Sequence, residues 1–270
     1  MCEGECIGIF GLTGAGKSTL LRLLASVEKP DSGTLFPPNL QVGFSPQSPM
    51  PEGELTVFEY LMLYSVLYGI PRAKRRSVIR EALALMGSEV QRNRRIKTLS
   101  VGETKLVDIA RTLMCPYNIL FFDEPMAGLD WSSRARLWEH LLHLRMSQKK
   151  TIVIAISRPE DADLCDRLIL IHHGRVKATG TPESLRTGIG AEALVVTPIK
   201  GIGMAQSQGI GLVEKNEEGI FSVEVDPEVH PVELLSLIKG STAAIRLQPM
   251  GLDSILEELV ARESEKEMGR

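Results

Sequence analysis

Short apolar runs alternate with longer amphipathic stretches through most of the chain. The runs Glu5–Phe10, Asn118–Phe122 and Thr151–Ile156 are almost wholly apolar, which predicts strands that are buried on both faces. Arg167–Ala178 alternates around a turn at 173–174 and predicts a hairpin. Strands separated by helical stretches are typical of a parallel sheet with helices on its faces. The fold class predicted from this pattern is α/β.

The middle of the chain, about 55–114, has helical rather than strand periodicity. Apolar residues recur at helix spacing in Thr56–Gly69, Ala73–Met86 and Ser100–Met114. We therefore expect a helical subdomain inserted into a sheet domain that covers 1–187.

The composition changes after residue 187, where Gly188–Gly190 predicts a linker. Residues 191–270 are expected to form a small C-terminal α+β domain. Its predicted strands are Ala193–Val196, Ile220–Val225 and Ala243–Arg246, and its predicted helices lie near Val232–Lys239 and Leu252–Glu263.

A phosphate-binding loop (P-loop) follows the first predicted strand. Residues 11–19 match the pattern G-x-x-x-x-G-K-[ST] between an apolar strand and a helix, which is the context that the mechanism needs. The glycines let backbone N–H groups converge on phosphates, and the helix N-terminus adds positive potential. Lys17 is expected to reach the β and γ phosphates, and Ser18 to bind Mg²⁺. The predicted nucleotide-binding residues are Gly11, Leu12, Thr13, Gly14, Ala15, Gly16, Lys17, Ser18 and Thr19.

Two carboxylates end the second buried strand. Asp123 and Glu124 follow the apolar residues 119–122, and a buried strand delivers such side chains to the carboxyl edge of the sheet. Asp123 is predicted to hold Mg²⁺, and Glu124 to orient or deprotonate the water that attacks the γ-phosphate. Such a pair is on its own often a helix cap or a surface turn. Its combination with Lys17 favours nucleotide hydrolysis.

Three further segments narrow the class of P-loop protein. Leu99–Glu103 resembles the signature sequence of ATP-binding-cassette (ABC) ATPases, Ala127–Asp130 is similar to their D-loop, and Phe44–Gln47 is similar to their Q-loop. The sequence lacks the N-K-x-D base-reading motif of GTPases. By resemblance, the chain is identified as a member of the ABC ATPases, with a P-loop NTPase sheet as its core.

The resemblance implies that ATP and Mg²⁺ are bound between two cassettes, with the P-loop of one facing the signature of the other. Ser100 and the backbone N–H of Gly102 would contact the partner's γ-phosphate, and Asp130 would communicate across the interface. Gln47 would sense the γ-phosphate and Mg²⁺, both as a catalytic residue and as a metal ligand. The partner is either a second copy or another ABC ATPase subunit.

Composition and charge limit the partners. The 270 residues carry 31 Lys+Arg against 34 Asp+Glu, and this net charge of -3 argues against nucleic acid as a partner. No apolar run is long enough to span a membrane, so transport requires separate transmembrane permease subunits. We therefore expect a cytoplasmic protein that is peripheral on the cytoplasmic face of the membrane.

The C-terminal part of the sequence indicates a subtype. Gly180–Leu185 and Leu252–Leu259 resemble segments of the ATPase subunits of ABC-2-type exporters, including the daunorubicin-resistance group. The implied function is ATP binding and hydrolysis that powers partner membrane subunits through ATP-dependent dimer closure.

Two features depart from the family pattern. Ten residues precede Gly11, whereas family members usually have a longer segment that supplies antiparallel strands and an aromatic ring against adenine. We therefore expect the N-terminal strands to be missing and the discrimination between ATP and GTP to be weak.

The family's switch histidine is replaced by Ser157 or Arg158, and the alignment leaves both positions open. Either side chain would hold Glu124, water and phosphate in a different geometry.

The predicted activity is therefore an ATPase whose turnover is reduced by the absent switch histidine. His172 and His173 are expected at a solvated hairpin tip and cannot replace it. The alternative is a degenerate regulatory cassette that binds ATP with little hydrolysis. A soluble ABC protein of ribosomes or DNA repair is disfavoured, because such proteins carry two linked cassettes or a long coiled-coil insertion.

Overall fold

The computed structural model describes residues 2–35, 41–49, 51–85, 87, 92–188, 192–198, 213–215, 221–225, 243–249 and 252. The chain divides into two compact units, Met1–Thr179 and Gly180–Arg270. The sequence-based domain boundaries at 187 and 191 stay a prediction.

A six-stranded sheet forms the centre of the first unit, with strand order β2-β3-β4-β1-β5-β6. Neighbouring strands from β2 to β5 are parallel, and β6 is the second arm of the hairpin that begins with β5. This mostly parallel sheet confirms the predicted α/β class. Its strands are β1 (Cys6–Phe10), β2 (Val42–Ser45), β3 (Ile119–Asp123), β4 (Thr151–Ile156), β5 (Arg167–His172) and β6 (Arg175–Gly180).

The central strands are apolar because helices cover them on both faces. Every residue of β1 and β4 is buried, and Ile9 pairs with Ala155 in the parallel register. Phe121 on β3 pairs with Val153, and both belong to the core cluster that also contains Leu21. The strand period alone did not predict β2. This strand is short and contains Gly43, and it is stabilised by its pairing with β3.

Seven helices are described. They are α1 (Lys17–Leu24), α2 (Val57–Leu67), α3 (Arg72–Ala84), α4 (Val101–Leu113), α5 (Trp131–Gln148), α6 (Pro159–Ala162) and α7 (Pro182–Gly188), with a 3-10 turn at Ile96–Thr98. Among the residues that the structure describes, no helix has both the length and the apolar character needed to cross a membrane.

The helix starts follow from capping chemistry. Thr56 before α2 and Ser100 before α4 each accept a hydrogen bond from the backbone N–H of a glutamate three residues later. Glu59 and Glu103 return the contact through their carboxylates, so each cap satisfies two backbone donors. These caps fix where the helical subdomain begins and where the signature helix α4 begins.

A buried ion pair joins the inserted helices to the sheet. On α4, the Arg111 guanidinium lies 2.7 Å from Asp108 Oδ1 and donates to the Phe44 carbonyl oxygen and the Tyr68 hydroxyl, both at 2.8 Å. The other oxygen of Asp108 accepts from the Ser45 hydroxyl at 2.8 Å. The pair thus ties α2 and α4 to the end of β2.

The second unit contains an antiparallel sheet. Its strands are β7 (Glu192–Pro198), β8 (Val213–Lys215), β9 (Phe221–Val225) and β10 (Ala243–Pro249), in the order β10-β7-β9-β8. The predicted linker overlaps α7 at Gly188, and its remaining residues lie outside the described ones. The helix predicted near 232–239 lies outside them as well, as does all of 252–263 except Leu252, which is helical.

We predict that Arg111→Met lowers the free energy of unfolding by about 3–5 kcal/mol, because Asp108 is left buried without its cation. Urea unfolding followed by circular dichroism measures the loss. The control is Arg95→Met, which breaks an ion pair with Glu54 whose side chains are 58% and 63% exposed. That loss should be much smaller, because both charges of this pair are solvated. Equal losses in the two variants would contradict the structural role of the buried pair.

Candidate nucleotide site

The site lies at the carboxyl edge of the sheet. Strands β1, β3 and β4 are parallel neighbours, so the residues that follow Phe10, Asp123 and Ile156 emerge at the same edge. In open α/β sheets, ligands bind at this edge. The sheet therefore brings the P-loop, the acidic pair and the switch segment to one side.

The P-loop is tightly packed at its first residue. A Cβ added at Gly11 would lie 2.3 Å from the carbonyl oxygen of Ile171 on β5, so only glycine fits. Gly14 and Gly16 have φ values of 82° and 102°, which are left-handed conformations. Gly16 is the N-cap of α1, and the loop therefore presents backbone N–H groups at a helix N-terminus.

The β5–β6 hairpin supports the P-loop from the side away from β4. The backbone N–H of Gly174 donates to the carbonyl oxygen of Ala15 at 2.8 Å. His173 is exposed and has a φ of 46°, which agrees with a turn. The tip is nevertheless not simply a solvated turn, because its backbone bonds to the phosphate-binding loop. No local pattern in the sequence indicates this contact.

Lys17 is the cation of the site. Its side chain is 4% exposed, and Nζ donates to the carbonyl oxygens of Gly11 at 2.6 Å and Leu12 at 3.2 Å. The same Nζ lies 3.1 Å from Glu124 Oε1. Gln47 Nε2 donates to the other Glu124 oxygen at 3.1 Å. Lys17 and Gln47, which the sequence predicted from separate motifs, therefore both contact the Glu124 carboxylate.

Asp123 has the surroundings of a cation ligand. Its Oδ1 accepts from the Ser18 hydroxyl at 2.9 Å, whereas Oδ2 is buried and has no hydrogen-bond partner in the described part of the chain. Burial raises the pKa of the Asp123 carboxyl, and the Ser18 hydrogen bond opposes this shift. A buried carboxylate oxygen without a donor, beside a hydroxyl, fits the oxygen ligands that Mg²⁺ prefers.

Ser100, Gly102 and Asp130 lie together at the starts of two helices. Ser100 is the exposed N-cap of α4, and Asp130 caps α5 by accepting from the Ser133 backbone N–H at 3.0 Å. Hydrogen bonds from Ser133 lower the pKa of Asp130. A Cβ at Gly102 would lie 3.6 Å from the Gly128 carbonyl oxygen, so the signature segment packs on the D-loop segment.

The two switch candidates lie at the expected edge but do not join the cluster. Ser157 and Arg158 are exposed and connect β4 to α6. Neither side chain has a hydrogen bond or ion pair with Lys17 or Glu124 among the described contacts. Their roles stay a prediction.

Sequence reasoning missed one buried group of the site. Lys105 on α4 donates to the backbone carbonyls of Glu124 at 2.6 Å and Ala127 at 3.0 Å. The available signal was a lysine on the apolar side of a predicted helix, next to Leu106 and four residues before Ile109. Such a lysine must have internal partners.

Comparison with known proteins decides the family. The sequence model of the ABC transporter family matches residues 1–127. A Nod factor export ATP-binding protein I from Rhizobium sp. (strain N33) is 32% identical over 98% of this chain and 91% of its own length. This chain belongs to the ABC transporter ATPases. A protein of the same name from Rhizobium etli is 32% identical over 97% of this chain and 87% of its own length.

Solved ABC cassettes have the same fold. A dimeric ATP-binding cassette in a post-hydrolysis state, bound to ADP and phosphate, has a TM-score of 0.62 and 26% identity, covering 67% of this chain and 87% of that one. An ATP-binding subunit of an ABC transporter has a TM-score of 0.63 and 27% identity, with 69% and 82% covered. The resemblance and the cassette fold are confirmed, and the chain is an ATP-binding subunit of an ABC transporter.

We predict that Asp123→Asn stabilises the metal-free protein at neutral pH. Because burial raises the folded-state pKa of Asp123, its ionisation destabilises the fold as the pH rises through that value. The gain in thermal midpoint should therefore shrink as the pH falls through the same value, in EDTA. With Mg²⁺ and ATP, the wild type should have the higher thermal midpoint, because the amide side chain of the variant lacks the charge that binds the cation.

The control for this titration is Asp130→Asn. Ser133 lowers the folded-state pKa of Asp130, so this carboxylate stabilises the fold at neutral pH and loses that effect as the pH falls. The two variants should therefore shift stability in opposite directions. A destabilised Asp123→Asn protein in EDTA would contradict the inferred environment of Asp123.

Proposed function

We propose that this subunit binds ATP with Mg²⁺ at the P-loop, hydrolyses it slowly, and powers partner membrane subunits of an exporter through closure of two cassettes. The observation that carries the proposal is the contact of Lys17, Gln47 and the Glu124 carboxylate at one edge of the sheet. The proposal is also supported by the chain's membership in a family whose solved relatives include a dimeric cassette bound to ADP and phosphate.

The chain's own groups account for the chemical step. The P-loop N–H groups and Lys17 would bind the β and γ phosphates, so that Lys17 exchanges Glu124 for phosphate oxygens. Ser18 and Asp123 would hold Mg²⁺, which neutralises phosphate charge. The freed Glu124 carboxylate would orient or deprotonate the attacking water, and Gln47 would keep that carboxylate aligned.

Closure of two cassettes completes this site. Ser100, Gly102 and Asp130 would serve the partner's nucleotide, because they lie at the exposed starts of two helices. Two large apolar side chains flank them: Val101 is 88% exposed and Trp131 is 84% exposed. The partner is a second copy or a sister ATPase subunit.

Export and membrane attachment rest on two observations. The relatives at 32% identity are named for the export of Nod factor. On α2, the apolar side chains Leu63, Val66 and Leu67 follow helix spacing and are 45%, 49% and 66% exposed. We propose that this face contacts a transmembrane permease subunit and holds the protein at the cytoplasmic face of the membrane.

The switch position is expected to limit the rate. Without an imidazole at 157 or 158, water and the γ-phosphate would be held less well, and misplacement of reacting groups costs orders of magnitude in rate. If hydrolysis were negligible, the alternative would apply, namely a regulatory cassette that binds ATP with little hydrolysis. A loss of turnover in Glu124→Gln favours an active ATPase, whereas a wild type with no turnover to lose favours the regulatory cassette.

Glu124→Gln should trap the closed dimer. We predict that Mg-ATP doubles the sedimentation mass of Glu124→Gln and shifts the Trp131 emission to the blue in a Trp138→Phe background, because an 84% exposed ring becomes buried. The control is Lys17→Ala added to the Glu124→Gln and Trp138→Phe substitutions, because it removes the cation that would bind the nucleotide's phosphates. A constant mass with saturating Mg-ATP, both alone and with a sister ATPase subunit, would contradict closure.

A histidine restored at the switch should raise turnover. We predict that Ser157→His or Arg158→His increases kcat by about tenfold or more, with KM for ATP changed by less than about threefold. Phosphate release under saturating Mg-ATP measures the effect. His143→Ala, which removes an exposed histidine from α5, is the control and should leave kcat unchanged. If neither histidine variant is faster, the missing imidazole does not limit the rate.

A further inference from the structure

A buried lysine lies beneath the acidic pair. Lys105 is 6% exposed, and both acceptors of its Nζ hydrogen bonds are backbone carbonyls, those of Glu124 and Ala127. Burial lowers its pKa, and the charges of Glu124 and Asp123 oppose this shift. None of these contacts is with the P-loop.

The first acceptor belongs to an unusual backbone conformation. Glu124 has a φ of 45°, a left-handed value that residues other than glycine rarely adopt. Its carbonyl oxygen accepts from Lys105 at 2.6 Å and from the Ala127 backbone N–H at 3.2 Å. Two donors therefore hold the backbone that aims the carboxylate at Lys17 and Gln47.

The second acceptor begins the loop that leads to α5. The Ala127 carbonyl is three residues before Asp130, and Gly128 packs against Gly102 at the start of α4. Lys105 on α4 thus bonds to both ends of the turn 124–127. It connects the helix that carries Ser100 and Gly102 to the residue that would activate water.

We propose that Lys105 is a positioning residue for ATP hydrolysis, which orients the Glu124 carboxylate and fastens the loop 124–130 to the signature helix α4. This inference rests on the proposed function of Glu124. Loss of the ammonium group removes the lysine donor from the Ala127 carbonyl and one of the two donors from the Glu124 carbonyl, and lets the turn relax. The carboxylate then leaves its position, whereas the phosphate-binding loop keeps its own contacts.

The chain offers a matched control for this lysine. Lys150, directly before β4, is 5% exposed, and its Nζ also donates to two backbone carbonyls, those of Cys115 and Tyr117. Burial lowers its pKa as well. Lys105→Met and Lys150→Met therefore remove the same kind of buried cation, but only the first contacts the acidic pair.

The test compares kcat, ATP affinity and amide hydrogen exchange in these two variants. In Lys105→Met, kcat should fall by about tenfold or more while the Kd for ATP stays within about threefold. Exchange should become faster in 124–130 only in this variant. Lys150→Met should keep kcat within about twofold of the wild type. Lys105→Gln retains N–H donors and should have a kcat between those of Lys105→Met and the wild type.

Two results would overturn the inference. One is a kcat for Lys105→Met equal to that of Lys150→Met, and the other is unchanged exchange in 124–130. A wild type that neither binds nor hydrolyses ATP would refute the proposed function instead. In that case the exchange data still decide whether Lys105 fastens the loop.

Discussion

The site depends on one constraint: a cation and two carboxylates must be delivered to the same edge of a buried sheet. Lys17 lies after β1, Asp123 is the last residue of β3 and Glu124 comes next, with the apolar β4 between the two strands. Charges in such a place are costly unless they are paired or hydrogen-bonded. The contact of Lys17 with Glu124 meets this requirement, whereas Asp123 accepts from Ser18 through Oδ1 and its buried Oδ2 has no partner in the described part of the chain. The register of three parallel strands therefore determines the chemistry that is available.

The parts of the fold that sequence could predict have strong local patterns. Strand β4 has the predicted bounds Thr151–Ile156, β1 begins one residue later than predicted, and β3 is displaced by one residue at both ends. Each is a buried apolar run with clear boundaries. Strand β2 has no such pattern, because its four residues include Gly43 and are only half buried. It exists because β3 supplies a parallel partner, which is a tertiary effect.

The residues of the candidate site also fall into two groups, those with a local signal in the sequence and those without one. The P-loop and the acidic pair were predicted from residue types at fixed spacings, and Gln47 from the resemblance of its segment to the Q-loop of ABC ATPases. The contacts of Lys105, and those of Arg111 with Phe44 and Tyr68, were not predictable, because these partners lie on segments brought together only by the fold. A charged residue on the apolar side of α4 indicated that a partner must exist, but not which one. Ser157 is at the predicted edge, and its role stays a prediction.

The hydrogen bond between Gly174 and Ala15 has a consequence for protein engineering. A short hairpin tip with an exposed histidine is where an epitope tag or a fluorescent protein would ordinarily be inserted, because surface turns tolerate added length. Here the tip's amide is fixed to the backbone that must present N–H groups to phosphate. A tag at this turn would therefore disturb nucleotide capture while leaving the sheet intact.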